Sequence, residues 1–159
     1  MPGGNRRMGR ELALKVLYSL PDQKGDIAQI LKTFWENFSW QEEVSADIPD
    51  SHVIPPPVAV RRFAESLVSG VVENREKIDS LLKTHSTNWS LDRMARVDLS
   101  LLRLGAFELI FCPEIPASVV INEAIEIGKR FGTKDTPSFV NGILDKVSHS
   151  VRPAADAAD

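Results

Sequence analysis

The chain has 159 residues and a formal net charge of −3, and 43% of its residues are hydrophobic, which is an ordinary globular balance. The negative net charge excludes a chain that is basic throughout, so any site for RNA or DNA must be a local patch. The single cysteine, Cys112, excludes an internal disulfide and a zinc site built from several cysteines, and it favours a cytoplasmic location.

Helical spacing predicts two helices near the start of the chain, over residues 6–19 and 27–38. Asn5 is a plausible N-cap for the first, and Pro21 ends it. The apolar positions of the first helix that share a core-facing side are Met8, Leu12, Ala13, Val16, Leu17 and Leu20. A different stripe repeats every four residues and contains Arg6, Arg10, Leu14 and Tyr18.

Residues 39–57 contain four prolines and show no helical period, which predicts an internal proline-rich loop. The last of these prolines, Pro57, can start the next helix. Apolar spacing then predicts helices over residues 58–72 and 75–82, followed by a turn. Ser90 is a candidate cap for the helix that comes next.

Residues 94–111 are apolar almost all round, which is typical of a buried helix enclosed by others. A membrane span is excluded because Arg96, Asp98, Arg103 and Glu108 interrupt the run. We therefore predict that this is the central helix of the fold. Arg103 lies midway along it and requires a carboxylate or carbonyl partner if it is buried.

Two more helices are predicted, over residues 117–131 and 136–148, with Thr136 as the N-cap of the last and Pro137 at its first position. No segment alternates in the manner of a strand. We predict an all-α protein with one domain over residues 5–150 and a disordered tail over residues 151–159.

No arrangement of residues predicts catalysis, a metal or a cofactor. The three histidines lie far apart in sequence without ligand spacing, and no phosphate-binding glycine loop is present. Cys112 follows the apolar helix, where a small buried hydrophobic residue is a simpler interpretation than a nucleophile. We therefore expect a protein that is not an enzyme.

Two basic clusters stand out against the acidic total. The first contains Arg6, Arg7 and Arg10 with Tyr18, a composition suited to phosphate contacts and base stacking. The second, at the end of the helix over residues 117–131, contains Lys129, Arg130, Phe131 and Lys134. A solvated first turn and cations that compensate a helix dipole are the simpler interpretations. If the fold brings the clusters together, they line one basic and aromatic groove.

Four motifs in order resemble the NusB transcription antitermination family, and together they cover residues 5–147 apart from the proline-rich loop. The first is Arg6-Arg7-x-x-Arg10-Glu11-x-Ala13-Leu14-x-x-Leu17-Tyr18-Ser19. The second is Arg96-Val97-Asp98-x-x-x-Leu102-Arg103-Leu104-x-Ala106-x-Glu108-Leu109. The third is Ile115-Pro116-x-x-Val119-x-Ile121-Asn122-Glu123-Ala124-Ile125-Glu126-Ile127-x-Lys129-x-Phe131. The fourth is Phe139-Val140-Asn141-Gly142-Ile143-Leu144-Asp145.

The resemblance implies an all-α fold of about seven helices in two packed bundles around the central apolar helix. It also implies binding of boxA RNA together with the ribosomal protein NusE, and action on RNA polymerase, chiefly in ribosomal RNA operons. By position, the residues on the RNA side would be Arg6, Arg7, Arg10, Tyr18, Lys129 and Phe131. Asp98 and Asp135 would face NusE. For the patterned Asn122, Glu123, Asn141 and Gly142, helix packing and hydrogen bonding are expected.

Two alternatives remain open from the sequence. The domain also resembles the RNA-targeting part of certain ribosomal RNA cytosine-5 methyltransferases, but the chain contains no cofactor-binding domain beside it. The other alternative is a helical interaction module that forms a homodimer. The chain departs from the family pattern at Met8-Gly9, where an arginine or alanine is frequent. Glycine there predicts first turns that become ordered on RNA.

Overall fold

The computed structural model describes residues 3–20, 26–37 and 56–152, and these ranges form seven α-helices and no strand. The helices, with one short 3-10 turn, are α1 (Gly3–Ser19), α2 (Ile27–Asn37), α3 (Val58–Glu73), α4 (Arg75–His85), the turn Leu91–Arg93, α5 (Arg96–Phe111), α6 (Ala117–Phe131) and α7 (Thr136–Val151). This confirms the all-α prediction. Most of the predicted 39–57 loop lies outside the described residues.

The central element is α5, which packs against α1, α3, α4, α6 and α7. Its side chains Leu101, Leu102 and Leu109 are almost fully buried, as expected for a helix that is apolar on nearly every side. The central position predicted for this helix is confirmed. It begins later than expected, because Ser90 starts the 3-10 turn and Ala95 is the residue before α5.

Two bundles share α5. On one side α1 packs closely against α3, and both touch α5; on the other, α6 and α7 pack against each other and against α5. The core is continuous through both bundles, since the buried apolar side chains of α1, α3, α5, α6 and α7 form one cluster. The α1 and α6 helices thus approach each other along one border of the molecule.

The buried Arg103 has the partner that the sequence required. Its guanidinium donates two hydrogen bonds to the carboxylate of Asp79 on α4, at 2.9 and 3.0 Å. Such a fork-to-fork pair fixes orientation as well as charge. Because Arg103 is only 7% exposed, this pair is what allows a charge inside the central helix.

The predicted disordered tail begins too early. Val151 is the last residue of α7, and Arg152 follows it with a half-buried side chain. The Arg152 guanidinium donates to four backbone carbonyls, those of Glu108, Leu109, Cys112 and Ile115, at 2.5–3.1 Å. Carbonyls at a helix end lack helical partners, so Arg152 satisfies the C-terminal end of α5.

The glycine in α1 has a packing function. A Cβ at Gly9 would lie 2.6 Å from Cδ1 of Phe63, which means that α1 and α3 approach closely at this point. The first turns of the protein alone are already helical from Gly3, so the expectation that they need RNA to become ordered is wrong. In the part of the chain that the structure describes, no helix combines the length and apolar character needed to cross a membrane.

Candidate nucleic-acid interface

The two basic clusters identified in the sequence meet where α1 runs beside α6. Arg7 donates two hydrogen bonds to Glu123, at 2.7 and 3.1 Å. One turn later Glu11 accepts a hydrogen bond from Arg130 at 2.7 Å. A further turn along, the ammonium of Lys15 lies 5.3 Å from the centre of the Phe131 ring. We call this surface, formed by Arg7, Glu11, Lys15, Glu123, Arg130 and Phe131, the α1–α6 seam.

The seam alternates in charge, and its cations are half exposed. The side chains of Arg7 and Arg130 are 45% and 53% exposed. The hydrogen bonds to Glu123 are the main cause that raises the pKa of Arg7. Ion pairs at such exposed positions contribute little net stability, so exchanging a carboxylate partner for a phosphate is inexpensive. Lys129 lies beside the seam, 3.0 Å from Glu126 and equally open to solvent.

An aromatic and basic pair extends this surface beyond the end of α1. Tyr18 is 46% exposed, and the guanidinium of Arg96 lies 5.2 Å from the centre of its ring. Arg96 also donates a hydrogen bond to the backbone carbonyl of Tyr18 at 3.2 Å. We did not predict a role for Arg96 from the sequence. A signal existed, because a cation in the first turn of a helix opposes the helix dipole and therefore needs another explanation.

Arg10 is in the wrong place for the role predicted for it. It is 4% exposed, and its guanidinium lies against the buried carboxylate of Glu108 rather than in solvent. The error comes from treating a repeat of four residues as a straight stripe. Each step of four turns about 40° beyond a full circle, so Arg6 and Tyr18 end about 120° apart. Arg6 is half-buried, with its guanidinium 5.7 Å from the centre of the Phe63 ring.

The two acidic residues predicted to face a protein partner lie at the same end of the molecule. Asp98, in the first turn of α5, accepts a hydrogen bond from the hydroxyl of Thr136 at 2.7 Å. Asp135 is exposed and is the residue before α7, the position predicted for Thr136. Thr136 is instead buried inside the first turn of α7, where it ties that helix to α5.

The patterned residues of α6 and α7 divide into two groups. Glu123 forms the expected hydrogen bonds, with Arg7. In contrast, Asn122, Asn141 and Gly142 are exposed, so the expectation that they pack between helices is wrong. These three positions face outwards, where only a binding partner can use them.

Comparison with known proteins agrees with this arrangement. The family model described as the NusB family matches residues 7–149. The transcription antitermination protein NusB of Syntrophotalea carbinolica is 54% identical over 96% of this chain and 97% of its own length. The NusB protein of Geobacter sulfurreducens is 45% identical over 93% of this chain and 96% of its own length.

Two solved structures have the same fold. The T. maritima NusB structure superposes with a TM-score of 0.74 at 32% identity, over 99% of both chains. A structure of the antitermination factors NusB and NusE in complex with dsRNA contains a chain that matches with a TM-score of 0.70 at 26% identity, over 94% of this chain and 99% of that one. The match over residues 7–149 and the identity of 54% to a full-length relative show that this chain belongs to the NusB family.

Proposed function

We propose that this chain is a transcription antitermination factor that binds boxA RNA together with the ribosomal protein NusE. The observation that carries the proposal is the α1–α6 seam, in which the two separate basic clusters of the sequence form one surface. The family relationship supports it, because the relatives are named transcription antitermination proteins.

The RNA would lie along the seam and continue to Tyr18. Phosphates would contact Arg7, Lys15, Lys129 and Arg130, which are placed over about two turns of each helix. Single-stranded RNA is generally bound by cations that follow the backbone and by aromatic rings that stack on unpaired bases. Tyr18 and Phe131 supply the rings, and the exposed face of Tyr18 is the more accessible of the two.

Arg6 and Arg10 contribute indirectly in this proposal. Both guanidiniums lie over the Phe63 ring, at 5.7 and 5.5 Å from its centre, and Arg10 also pairs with Glu108. They hold α1 against α3 and α5 and thereby fix the height of the seam above the core. Arg6 retains partial exposure and can still add to the positive potential.

NusE would bind at the end of the molecule that carries Asp98 and Asp135. The two carboxylates are joined through Thr136, so they form one small acidic surface. Arg96 and Asp98 come from the same helical turn of α5, one beside Tyr18 and the other beside Thr136. RNA and NusE would therefore occupy adjoining surfaces, which accounts for joint binding.

Action on RNA polymerase in ribosomal RNA operons, and a cytoplasmic location, belong to the same proposal. They are tested by transcription in vitro through a terminator placed downstream of boxA, with and without this protein and NusE. The alternative of a homodimer is tested by size-exclusion chromatography with and without boxA RNA.

The binding proposal is tested by filter binding of boxA RNA with and without NusE. Two substitutions on one helical turn should act in opposite directions at low salt. Lys129→Ala removes a cation and should weaken binding, whereas Glu126→Gln removes a carboxylate from the path of the phosphates and should strengthen it. Lys83→Ala, on α4, serves as the charge-matched control. A wild-type protein that binds boxA RNA in neither condition would refute the proposed function.

A further inference from the structure

Gly142 lies in the middle of α7 for no reason that the fold itself supplies. A glycine inside a helix lowers helix stability relative to alanine. Gly70 and Gly105 are explained, because a Cβ there would collide with Phe107 and Leu144. A Cβ at Gly142 would meet nothing within 4 Å, and the residue is exposed. The missing side chain therefore leaves room outside the molecule rather than within it.

An exposed tryptophan lies beside this position. Trp89 is 56% exposed, and its ring meets the edge of Phe139 with centroids 5.9 Å apart and an interplanar angle of 85°. On α7, Phe139 is three residues from Gly142 and four residues from Asp135, and such residues are neighbours on a helix surface. We call the surface formed by Trp89, Asp135, Phe139 and Gly142 the α7 strip.

We propose that the α7 strip is the docking surface for the protein partner, with Trp89 as its apolar anchor and Gly142 as the point where the partner's backbone approaches most closely. This inference rests on the proposed function, since it takes NusE as that partner. Tryptophan is among the residues that most often dominate binding energy at interfaces. A helix surface without a side chain allows a second backbone to come near.

The charges beside the strip favour a protein over RNA as its occupant. Asp135 lies at one end, and Asp145 follows Gly142 by three residues with a side chain that is 61% exposed. These carboxylates would repel phosphates. They suit a partner with basic side chains around an apolar centre, and they continue the acidic surface formed by Asp98.

The first test is Gly142→Ala, which should have opposite effects on folding and on binding. The free protein should unfold at a temperature about 2–4 °C higher, because alanine favours the helix and meets no neighbour. Affinity for purified NusE, measured by calorimetry, should fall about tenfold because the added methyl group prevents the close approach of the partner. Ser80→Ala, an exposed helix position on α4, is the control and should leave NusE affinity unchanged. Unchanged affinity in Gly142→Ala would overturn the role of Gly142.

The second test is Trp89→Ala, which should weaken NusE binding about thirtyfold if Trp89 is a hot spot. The matched control is Phe111→Ala, which removes another exposed ring that pairs with a neighbour, Phe107, at the far end of α5. Binding of boxA RNA without NusE should be unchanged in both variants. If wild type binds NusE and Trp89→Ala binds it equally well, the inference fails while the proposed function stands. If wild type does not bind NusE, the proposed function fails as well.

Discussion

Arg10 and Glu108 form a buried ion pair that joins α1 to the central helix. Nε of Arg10 lies 3.1 and 3.0 Å from the two carboxylate oxygens, and Nη2 lies 2.7 Å from Oε1. The two side chains are only 4% and 2% exposed. The arginine that the sequence placed in the RNA site is therefore a structural residue of the core.

Removing one member of this pair should be much worse than removing both. Arg10→Ala leaves the Glu108 carboxylate buried without its partner and should cost about 3–5 kcal/mol of unfolding free energy. The double variant Arg10→Met with Glu108→Leu should recover most of that loss, since apolar groups of similar volume often replace a buried pair without penalty. Urea unfolding measures both. Equal losses in the single and the double variant would contradict this account.

The seam and Tyr18 should respond differently to salt. Tyr18→Ala should weaken RNA binding by about 1–3 kcal/mol because base stacking is removed, with little change in salt dependence. Arg7→Ala and Lys129→Ala should each remove one phosphate interaction and so reduce the slope of log K against log salt by about 0.7. Filter binding over a range of salt concentrations separates the two effects. Thermal unfolding of the same variants is the control, because Tyr18 is exposed and its removal should leave the fold intact. An unchanged affinity in all three variants would remove this surface from the RNA site.

Lysine at Asp135 should slow association with NusE and leave stability nearly unchanged, because this carboxylate is exposed at the rim and acts on the association rate more than on affinity. Asp98→Lys should do both, since it also breaks the hydrogen bond from the buried Thr136. Stopped-flow association at low salt and urea unfolding of each variant provide the comparison. Association at the wild-type rate in Asp135→Lys would place NusE elsewhere.

The contact of Arg152 with four carbonyls predicts that this residue stabilises the fold although it directly follows the last helix. Arg152→Ala should lower the unfolding free energy by about 2–3 kcal/mol, since hydrogen bonds from a charged donor are the stronger kind. Arg93→Ala, an exposed arginine in the 3-10 turn, should change it by less than about 0.5 kcal/mol. Chains that end after Arg152 and after Ser150 give the same comparison without a substitution. Equal stability of the two truncated chains would show that the carbonyl contacts contribute nothing.

Cys112 should react slowly with alkylating agents. Burial, and next the nearby carboxylates of Glu108 and Glu114, raise the pKa of the Cys112 thiol, so less of the reactive thiolate is present than for a free cysteine. As pH rises, the unfolded chain loses this proton before the folded one, and stability should fall at alkaline pH. Cys112→Ala should lack that part of the decline. Rapid alkylation of the native protein at neutral pH would contradict the prediction.

The sequence was sufficient for the helices because their apolar positions repeat with helical spacing over long stretches. It also identified Arg103 as a buried charge that needs a partner. It did not identify Asp79, because which acid on which neighbouring helix lies opposite depends on how α4 crosses α5. For the same reason, spacing alone does not reveal Glu123 and Glu11 as the residues that join the two basic clusters.

The errors in the candidate site have physical causes of their own. Sequence reasoning places Arg10 on the surface because arginine is rarely buried, and only the position of Glu108 in the fold shows why it is buried here. Composition places Arg152 in a tail, although its partners are carbonyls more than thirty residues earlier in the chain. The pattern around the exposed Asn141 and Gly142 suggests packing because sequence spacing does not show which side of α7 remains uncovered.

The close approach of Gly9 to Phe63 means that these two positions cannot change independently during evolution. An alanine at position 9 would place its Cβ 2.6 Å from the Phe63 ring, so it becomes acceptable only after that ring has moved or been replaced by a smaller side chain. The reverse order passes through a chain with a steric clash between α1 and α3. Relatives that carry alanine at the position of Gly9 should therefore carry a smaller residue at that of Phe63, and the smaller residue should have appeared first.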